Sequence, residues 1–525
     1  MFRPIVAKES IVRRGLRTLG VTTAALTSFL LVGGAASSPG AAAPPAAPQA
    51  DPAASLTADL DAILANPGVA GETASVQVST AAGQVLYSHE ADRRLNPASN
   101  LKLFTSAAAL DVLGLDFRFG TDVSTNARSS HGVLRGNLYL RGRGDPTLLA
   151  SDYEAMAAKV ASSGVRIVTG RLIADDTYFD DVRLGNSWSW DDEPYYYSQQ
   201  ASALTISPDT DYDNGNVIVE TRPGATPGAK PRLTLVPKTG YVHLINRATT
   251  STGTANTISV DREHGNNDIV VTGTIGTGHP AADKSWATVF EPTGYAADVF
   301  RRALARHGVQ VAGQTGYAAT PAGTRELATH ESMPLAQMYL PFLKLSNNGH
   351  AEALVKTVGQ VVAHDGSWDA GLQVIAEHLA SFGIDPAVIH QVDGSGLSRQ
   401  DLVPADQITR LLVAAQSKPW FATWYDALPI AGNPDRLVGG TLRSRLAGTA
   451  AAGMHGKTGS LTGVSALSGY VTDADGQRLI FSVLQNGYVH FNAKTIEDQI
   501  AIRVAQFGHG AAAANGVPRV PAAPA

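Results

Sequence analysis

No cysteine occurs anywhere in this chain. Disulfide bridges, thiol nucleophiles and Cys-ligated zinc sites are therefore excluded, and the apolar core must hold the fold together alone. Charge is scarce as well. Asp, Glu, Lys and Arg make up 17% of 525 residues, and 41 basic against 46 acidic side chains give −5. That balance excludes the basic footprint of a nucleic-acid binder or of a protein held to an anionic membrane surface. With 44% hydrophobic residues the chain is globular, and it is long enough for several domains.

One weakly apolar run lies at 19–36, after five basic side chains (Arg3, Lys8, Arg13, Arg14, Arg17) and one acidic, Glu9. Ala41-Ala42-Ala43 then fits an A-x-A cleavage site, so residues 1–43 have the layout of a secretory signal peptide. The alternative is an uncleaved anchor, but Gly20, Thr22, Thr23, Thr27, Gly33 and Gly34 interrupt the run. Without the first 50 residues, 36 basic and 45 acidic side chains remain, a charge near −9. Residues 44–54 read as an Ala/Pro linker. Residues 508–525 read as a disordered tail with no helix suited to anchoring, so no stable membrane anchor is expected.

Between these ends, residues 55–115 carry a helix pattern, two short strands at 75–80 and 84–88, and an apolar helix from about Ser99. The middle is rich in strand and turn patterns (133–140, 166–173, 217–221, 241–246, 267–273), with one persuasive helix in its second half at 295–307. From 334 onward helices return at 335–345, 350–363 and 370–382. A meander follows through 457–463, 464–471 and 478–486, then a closing helix at 493–507. This order suggests that both ends form one domain and that the strand-rich middle is inserted into it.

Three short motifs carry chemistry. Pro97 and Ser99 mark a helix start, and positions i and i+3 share a helix face, so Lys102 lies beside the Ser99 hydroxyl. A lysine can take a serine proton when desolvation and a neighbouring cation lower its pKa. Ser-x-x-Lys occurs once here, although about two copies are expected by chance. Ser346-Asn347-Asn348 sits between two helices, offering a hydroxyl for proton relay and an amide, Asn348, for a peptide carbonyl. Lys457-Thr458-Gly459 opens an apolar strand able to receive an extended peptide, with Lys457 and Thr458 binding its carboxylate and Gly459 allowing close approach. Ser124–Asn126 and Lys238–Gly240 match the second and third motifs by accident, since both fall in the strand-rich middle. A phosphate loop ending at Lys457 would need glycine at 451, where Ala stands. Alone, each motif is weak: Ser99 and Lys102 also read as an N-capping serine with a solvated lysine, and Ser346–Asn348 reads more readily as a helix cap than as a catalytic loop.

Their order is distinctive: Ser-x-x-Lys, Ser-x-Asn 247 residues later, and Lys-Thr-Gly 109 residues beyond Asn348. This is the motif set of β-lactamases and penicillin-binding proteins. The chain resembles class C low-molecular-mass penicillin-binding proteins of type 4, the D-alanyl-D-alanine carboxypeptidase/endopeptidases. The likeness covers residues 55–507, including the segments 143–148, 175–179, 346–352 and 393–399.

The resemblance implies an α+β fold: a transpeptidase-like domain (55–117 and 329–507), an antiparallel sheet flanked by helices. Two nested β-rich insertions are implied, one of 118–145 with 216–328 and a second of 146–215. It implies a penicillin-sensitive serine D,D-peptidase acting on D-Ala-D-Ala ends and D-Ala-diaminopimelate cross-links of peptidoglycan stem peptides, with β-lactams as covalent inhibitors and no metal or cofactor. Ser99 would be acylated, with Lys102 as base. Ser346 would relay a proton, Asn348 orient the substrate amide, and Lys457 lower the local proton affinity. Thr458 and Ser460 would bind the terminal carboxylate, and the N–H groups of Ser99 and Ser460 form the oxyanion hole. Asp192, Tyr197, Arg399 and Thr462 would form a pocket for the zwitterionic end of a diaminopimelate-type side chain; otherwise Asp192 sits in a solvated acidic loop and Arg399 in a structural salt bridge. His350 and His455 follow no metal-ligand spacing. The segment 393–399 lacks a nucleophile elbow and reads as a tight turn shaping the cleft. The rival readings are a β-lactamase or esterase of the same fold and a non-catalytic β-lactam-sensing or wall-binding module.

Overall fold

The computed structural model describes residues 52–489 and 492–508; the expected signal peptide and the tail beyond 508 lie outside the described residues. Residues 52–54, expected in the linker, instead open the helix Pro52–Leu64. Proline in the first turn removes a donor that has no intrahelical partner, and Leu56, Leu60 and Ile63 bury one stripe of the helix.

The two ends of the chain meet in one five-stranded antiparallel sheet. Its order is Val85–His89, Thr73–Thr80, Arg478–Asn486, Val464–Thr472 and His455–Leu461. Alternation along Arg478–Asn486 sends Leu479, Phe481 and Val483 to one face and Ile480 and Leu484 to the other. The first face packs on Leu56, Leu60, Ile63, Ile496, Ile500 and Val504 of the helices Pro52–Leu64 and Ala493–Ala505. The second packs on Leu103, Phe104, Ala107 and Leu110 of the helix Lys102–Leu113. Five further helices, Leu335–Leu345, Asn348–Ala363, Trp368–Ser381, Ala405–Ala415 and Phe421–Ala427, contribute to that core. The last strand of the sheet, His455–Leu461, is the open edge.

The middle of the chain is less purely β than expected. A helix missed in the sequence spans Ala150–Ser162, with Tyr153, Met156, Ala157 and Val160 on its buried face. The runs expected at 133–140 and 166–173 each break in two, the first around Gly136, whose amide lies at φ 157°.

The nested piece expected at 146–215 does not stand apart. Leu172–Asp175, inside it, pairs with Leu138–Gly142 before it and with Gly316–Tyr317 after it. The pairings that close on themselves lie at 216–288, where Asn216–Arg222 binds Arg232–Val236 and Asp283–Thr288, and the remaining strands pair among themselves. Strand hydrogen bonds crossing residue 146 rule out an independent sheet there, and a single apolar cluster runs through both parts.

Candidate active site

Ser99 lies in a single 3-10 turn, Ala98–Leu101, that runs directly into the helix Lys102–Leu113. In a 3-10 turn residues i and i+3 eclipse one another, and Lys102 Nζ stands 2.9 Å from Ser99 Oγ. Ala98 has φ 45°, a conformation that costs a residue with a side chain of order 1–3 kcal/mol. The turn is held in it by neighbours. Asn96 Oδ1 accepts from Ala98 N–H at 2.9 Å, and Asn486 of the central sheet exchanges two hydrogen bonds with the Asn96 backbone.

Lys102 is fully buried. Besides Ser99 it meets two oxygens that can only accept: Asn348 Oδ1 at 2.6 Å and the Ser395 carbonyl at 2.7 Å. Burial pushes its pKa down to about 7, while the carboxyls of Glu352, Asp393 and Asp401 pull the other way. Three acceptors suit an ammonium with three hydrogens. A neutral amine has two hydrogens and one lone pair. With two N–H bonds directed at the carbonyl oxygens, its lone pair is left facing the Ser99 hydroxyl.

Asn348 begins its helix at the end of the short loop expected between two helices. Its Nδ2 donates to the Tyr197 carbonyl at 2.6 Å, which fixes the amide with Oδ1 toward Lys102. Ser346 closes the preceding helix in the left-handed region, φ 64°, and its Oγ accepts from Lys457 Nζ at 2.8 Å. Lys457 also donates to the Thr458 carbonyl at 2.8 Å. Burial, reinforced by the charge of Lys102, holds the pKa of Lys457 well below that of an ordinary lysine. Thr458 Oγ1 donates to Thr441 Oγ1 at 2.8 Å, and Ser460 is exposed on the open edge. All three motifs therefore converge at one place.

Gly459 departs from expectation. Its bare Cα faces the turn that carries Ser99 rather than open space for a ligand: a Cβ there would lie 2.6 Å from the Pro97 carbonyl oxygen and 3.1 Å from Ser99 N. The other four expected residues form two separate pairs. Tyr197 donates its hydroxyl to Asp192 at 2.8 Å, and exposed Arg399 donates to the backbone carbonyl of Thr462 at 3.0 Å. Among the described residues no hydrogen bond or ion pair joins one pair to the other.

Several contributors had no motif to announce them. The carbonyls of Ser395 and Tyr197 are backbone atoms, visible only once the chain is folded. Asp393 takes N–H bonds from Gly396, Ser398 and Trp188, shaping the segment expected to turn beside the cleft. Burial raises the pKa of Glu352 to about 7, and burial together with Asp393 holds Asp401 well above the usual carboxylate range. His350 is buried on the Tyr212 carbonyl with its pKa driven down to about 4, and His455 stacks on Tyr425. Among the described residues no group of three His, Asp or Glu side chains is placed to hold a metal.

A buried lysine facing a serine across a helical turn, beside an open sheet edge, defines a class of serine hydrolases that use lysine where others use histidine. Comparison with known proteins is specific. The D-Ala-D-Ala carboxypeptidase 3 (S13) family matches residues 56–507. The chain belongs to this family of serine-type D-alanyl-D-alanine carboxypeptidases. It is 47% identical over 463 residues to a D-alanyl-D-alanine carboxypeptidase of an Actinomadura species, covering 87% of this chain and 86% of that protein. It is 27% identical over 411 residues to the carboxypeptidase DacB of Haemophilus influenzae, covering 77% and 83%. The fold is that of penicillin binding protein 4 from Haemophilus influenzae, with TM-score 0.72 at 24% identity over 84% of this chain and 97% of that one. A second structure of that protein, with TM-score 0.66, is a β-lactam complex covering 85% of this chain and 97% of that one.

Proposed function

We propose that this carboxypeptidase acts through an acyl-enzyme on Ser99. The observation that carries the reading is the pairing of Ser99 Oγ with Lys102 Nζ at 2.9 Å, where two fixed carbonyl acceptors aim the amine's lone pair at the hydroxyl. As Oγ adds to the carbonyl carbon of the D-Ala-D-Ala bond, its proton passes to Nζ. The N–H groups of Ser99 and Ser460 take the developing oxyanion; one such donor is typically worth about 3 kcal/mol in the transition state. The C–N bond then breaks, and the leaving amine receives a proton through Ser346, which Lys457 holds in place. Asn348 combines its grip on Lys102 with orientation of the substrate amide. Thr458 and Ser460 receive the terminal carboxylate on the open edge, where the substrate adds as an extended strand. Water releases the acyl group and regenerates Ser99.

Asp192 and Tyr197 on one side and Arg399 and Thr462 on the other would grip the ammonium and carboxylate of a diaminopimelate-type side chain. This extends the activity to cross-linked stem peptides. The leader at 1–43 would place the enzyme outside the cytoplasm, where peptidoglycan lies. No helix among the described residues is long and apolar enough to cross a membrane. Residues 55–117 with 329–507 would be the catalytic domain, carrying the middle of the chain as an insertion.

Intact-mass spectrometry after incubation with benzylpenicillin tests the reading. One stable adduct on the peptide containing Ser99, absent from Ser99→Ala, is expected. An adduct that survives this substitution sinks the assignment. Hydrolysed drug without an adduct turns the reading to a β-lactamase.

A further inference from the structure

Glu352 lies four residues beyond Asn348, so the two share a face of their helix. It is 2% exposed. Its Oε2 accepts from Trp368 Nε1 at 2.7 Å and from the Gly394 amide at 2.8 Å. Gly394 is held on its other side as well, its carbonyl accepting from Thr105 Oγ1 at 2.8 Å, one turn along from Lys102. A Cβ at 394 would lie 2.6 Å from the Ala351 carbonyl oxygen, so this segment is seated tightly on the helix that carries Glu352. The next residue, Ser395, supplies one carbonyl acceptor of Lys102, and Asn348, one turn before Glu352, supplies the other. Glu352 thus ties together the two bodies from which both acceptors come. Burying a carboxyl group is costly unless it is paired or bonded, and none of the three motifs calls for one here.

We propose that Glu352 is the positioning residue for Lys102. It sets the spacing of the Ser395 carbonyl and the Asn348 amide that keeps the amine's lone pair on Ser99, and its carboxylate balances the ammonium formed when Lys102 takes the serine proton. The inference rests on the reading of Lys102 as the base. The other titratable groups that face Lys102 are Asp393 and Asp401 from the neighbouring segment and Lys457 from the edge strand; besides Lys102, Lys356, Asp393 and Asp401 face Glu352.

The test is the pH profile of acylation by benzylpenicillin, in the full-length enzyme and in two variants. Wild type loses acylation on the acid side, with a limb between about pH 6 and 8. Glu352→Gln keeps an oxygen for Gly394 and Trp368 but removes the charge, so its limb moves about one pH unit toward acid. Its plateau stays within roughly tenfold of wild type. Glu352→Ala loses the tie as well, and its plateau falls about 10²-fold. A glutamate serving only to hold the fold would lower the rate without moving the limb, so an unmoved limb in Glu352→Gln overturns the proposal. So does a wild-type plateau in Glu352→Ala. If Glu352→Ala does not fold, Glu352→Gln decides alone. Absence of any limb in wild type removes Lys102 as the base, and the Glu352 proposal with it; a wild-type limb that Glu352→Gln leaves in place removes only the latter.

Discussion

Gly459 and Pro97 touch where the turn carrying Ser99 crosses the edge strand, and a Cβ on Gly459 would stand 2.6 Å from the Pro97 carbonyl oxygen. Backbone meets backbone there, so no side-chain adjustment can relieve a collision. Gly459→Ala must push the turn and the strand apart, displacing Ser99 from Lys102. A displacement of about 1 Å at a reacting group costs about 10²-fold in rate. Benzylpenicillin acylation is expected to fall by about that factor, with a lowered melting temperature.

Ser346 is the hydroxyl that accepts from Lys457. On the proposed path, Ser346→Ala removes the proton relay to the leaving amine and leaves Lys457 with one acceptor fewer. Turnover of a D-Ala-D-Ala peptide is expected to drop about 10²–10³-fold. An unchanged kcat would remove Ser346 from the proton path.

Lys102→Met should abolish acylation yet stabilise the protein in acid. The folded pKa of Lys102 is about 7, well below the ordinary lysine value of about 10.4. Between those values the unfolded chain holds a proton that the folded one does not, so this lysine's contribution to stability rises with pH across that window. Below pH 7 its full penalty is present. The melting temperature of Lys102→Met is expected to exceed wild type most at about pH 6, and the gap should narrow toward about pH 10. A gap constant across that range would contradict the buried-lysine account.

Arg399 is exposed and bonded through its side chain to the Thr462 carbonyl. Arg399→Ala should lower kcat/KM about tenfold on peptides whose side chain ends in both an ammonium and a carboxylate. It should change simple D-Ala-D-Ala peptides little. Equal losses on both would refute the pocket.

Much of this was legible in the sequence because it is written in side chains at fixed spacing. The strands 464–472 and 478–486 read as long, largely apolar runs, as strands covered on both faces should, and Ser99, Lys102, Ser346 and Lys457 stand out through motif order. The helix Ala150–Ser162 also left a trace, since Tyr153, Met156, Ala157 and Val160 follow a helical period within a strand-rich stretch. The carbonyls of Ser395 and Tyr197 left none, because any residue could supply them. Gly459 was visible as a glycine needing space, but what fills that space depends on a turn some 360 residues earlier in the chain. Glu352 lies in the segment 346–352 that resembles the family, yet only the fold shows that its carboxyl reaches Gly394.

The sheet that joins the two ends of the chain also sets when the enzyme can exist. Thr73–Thr80 finds its long partner only in Arg478–Asn486, and Asn486 in turn braces the strained backbone before Ser99. During synthesis the serine emerges hundreds of residues before the asparagine that steadies it. The ends must then be brought together across a very long loop, and such distant pairing is slow. A growing chain therefore carries Ser99 on an unbraced turn, and a product truncated before the final strands is expected to be inert rather than weakly active.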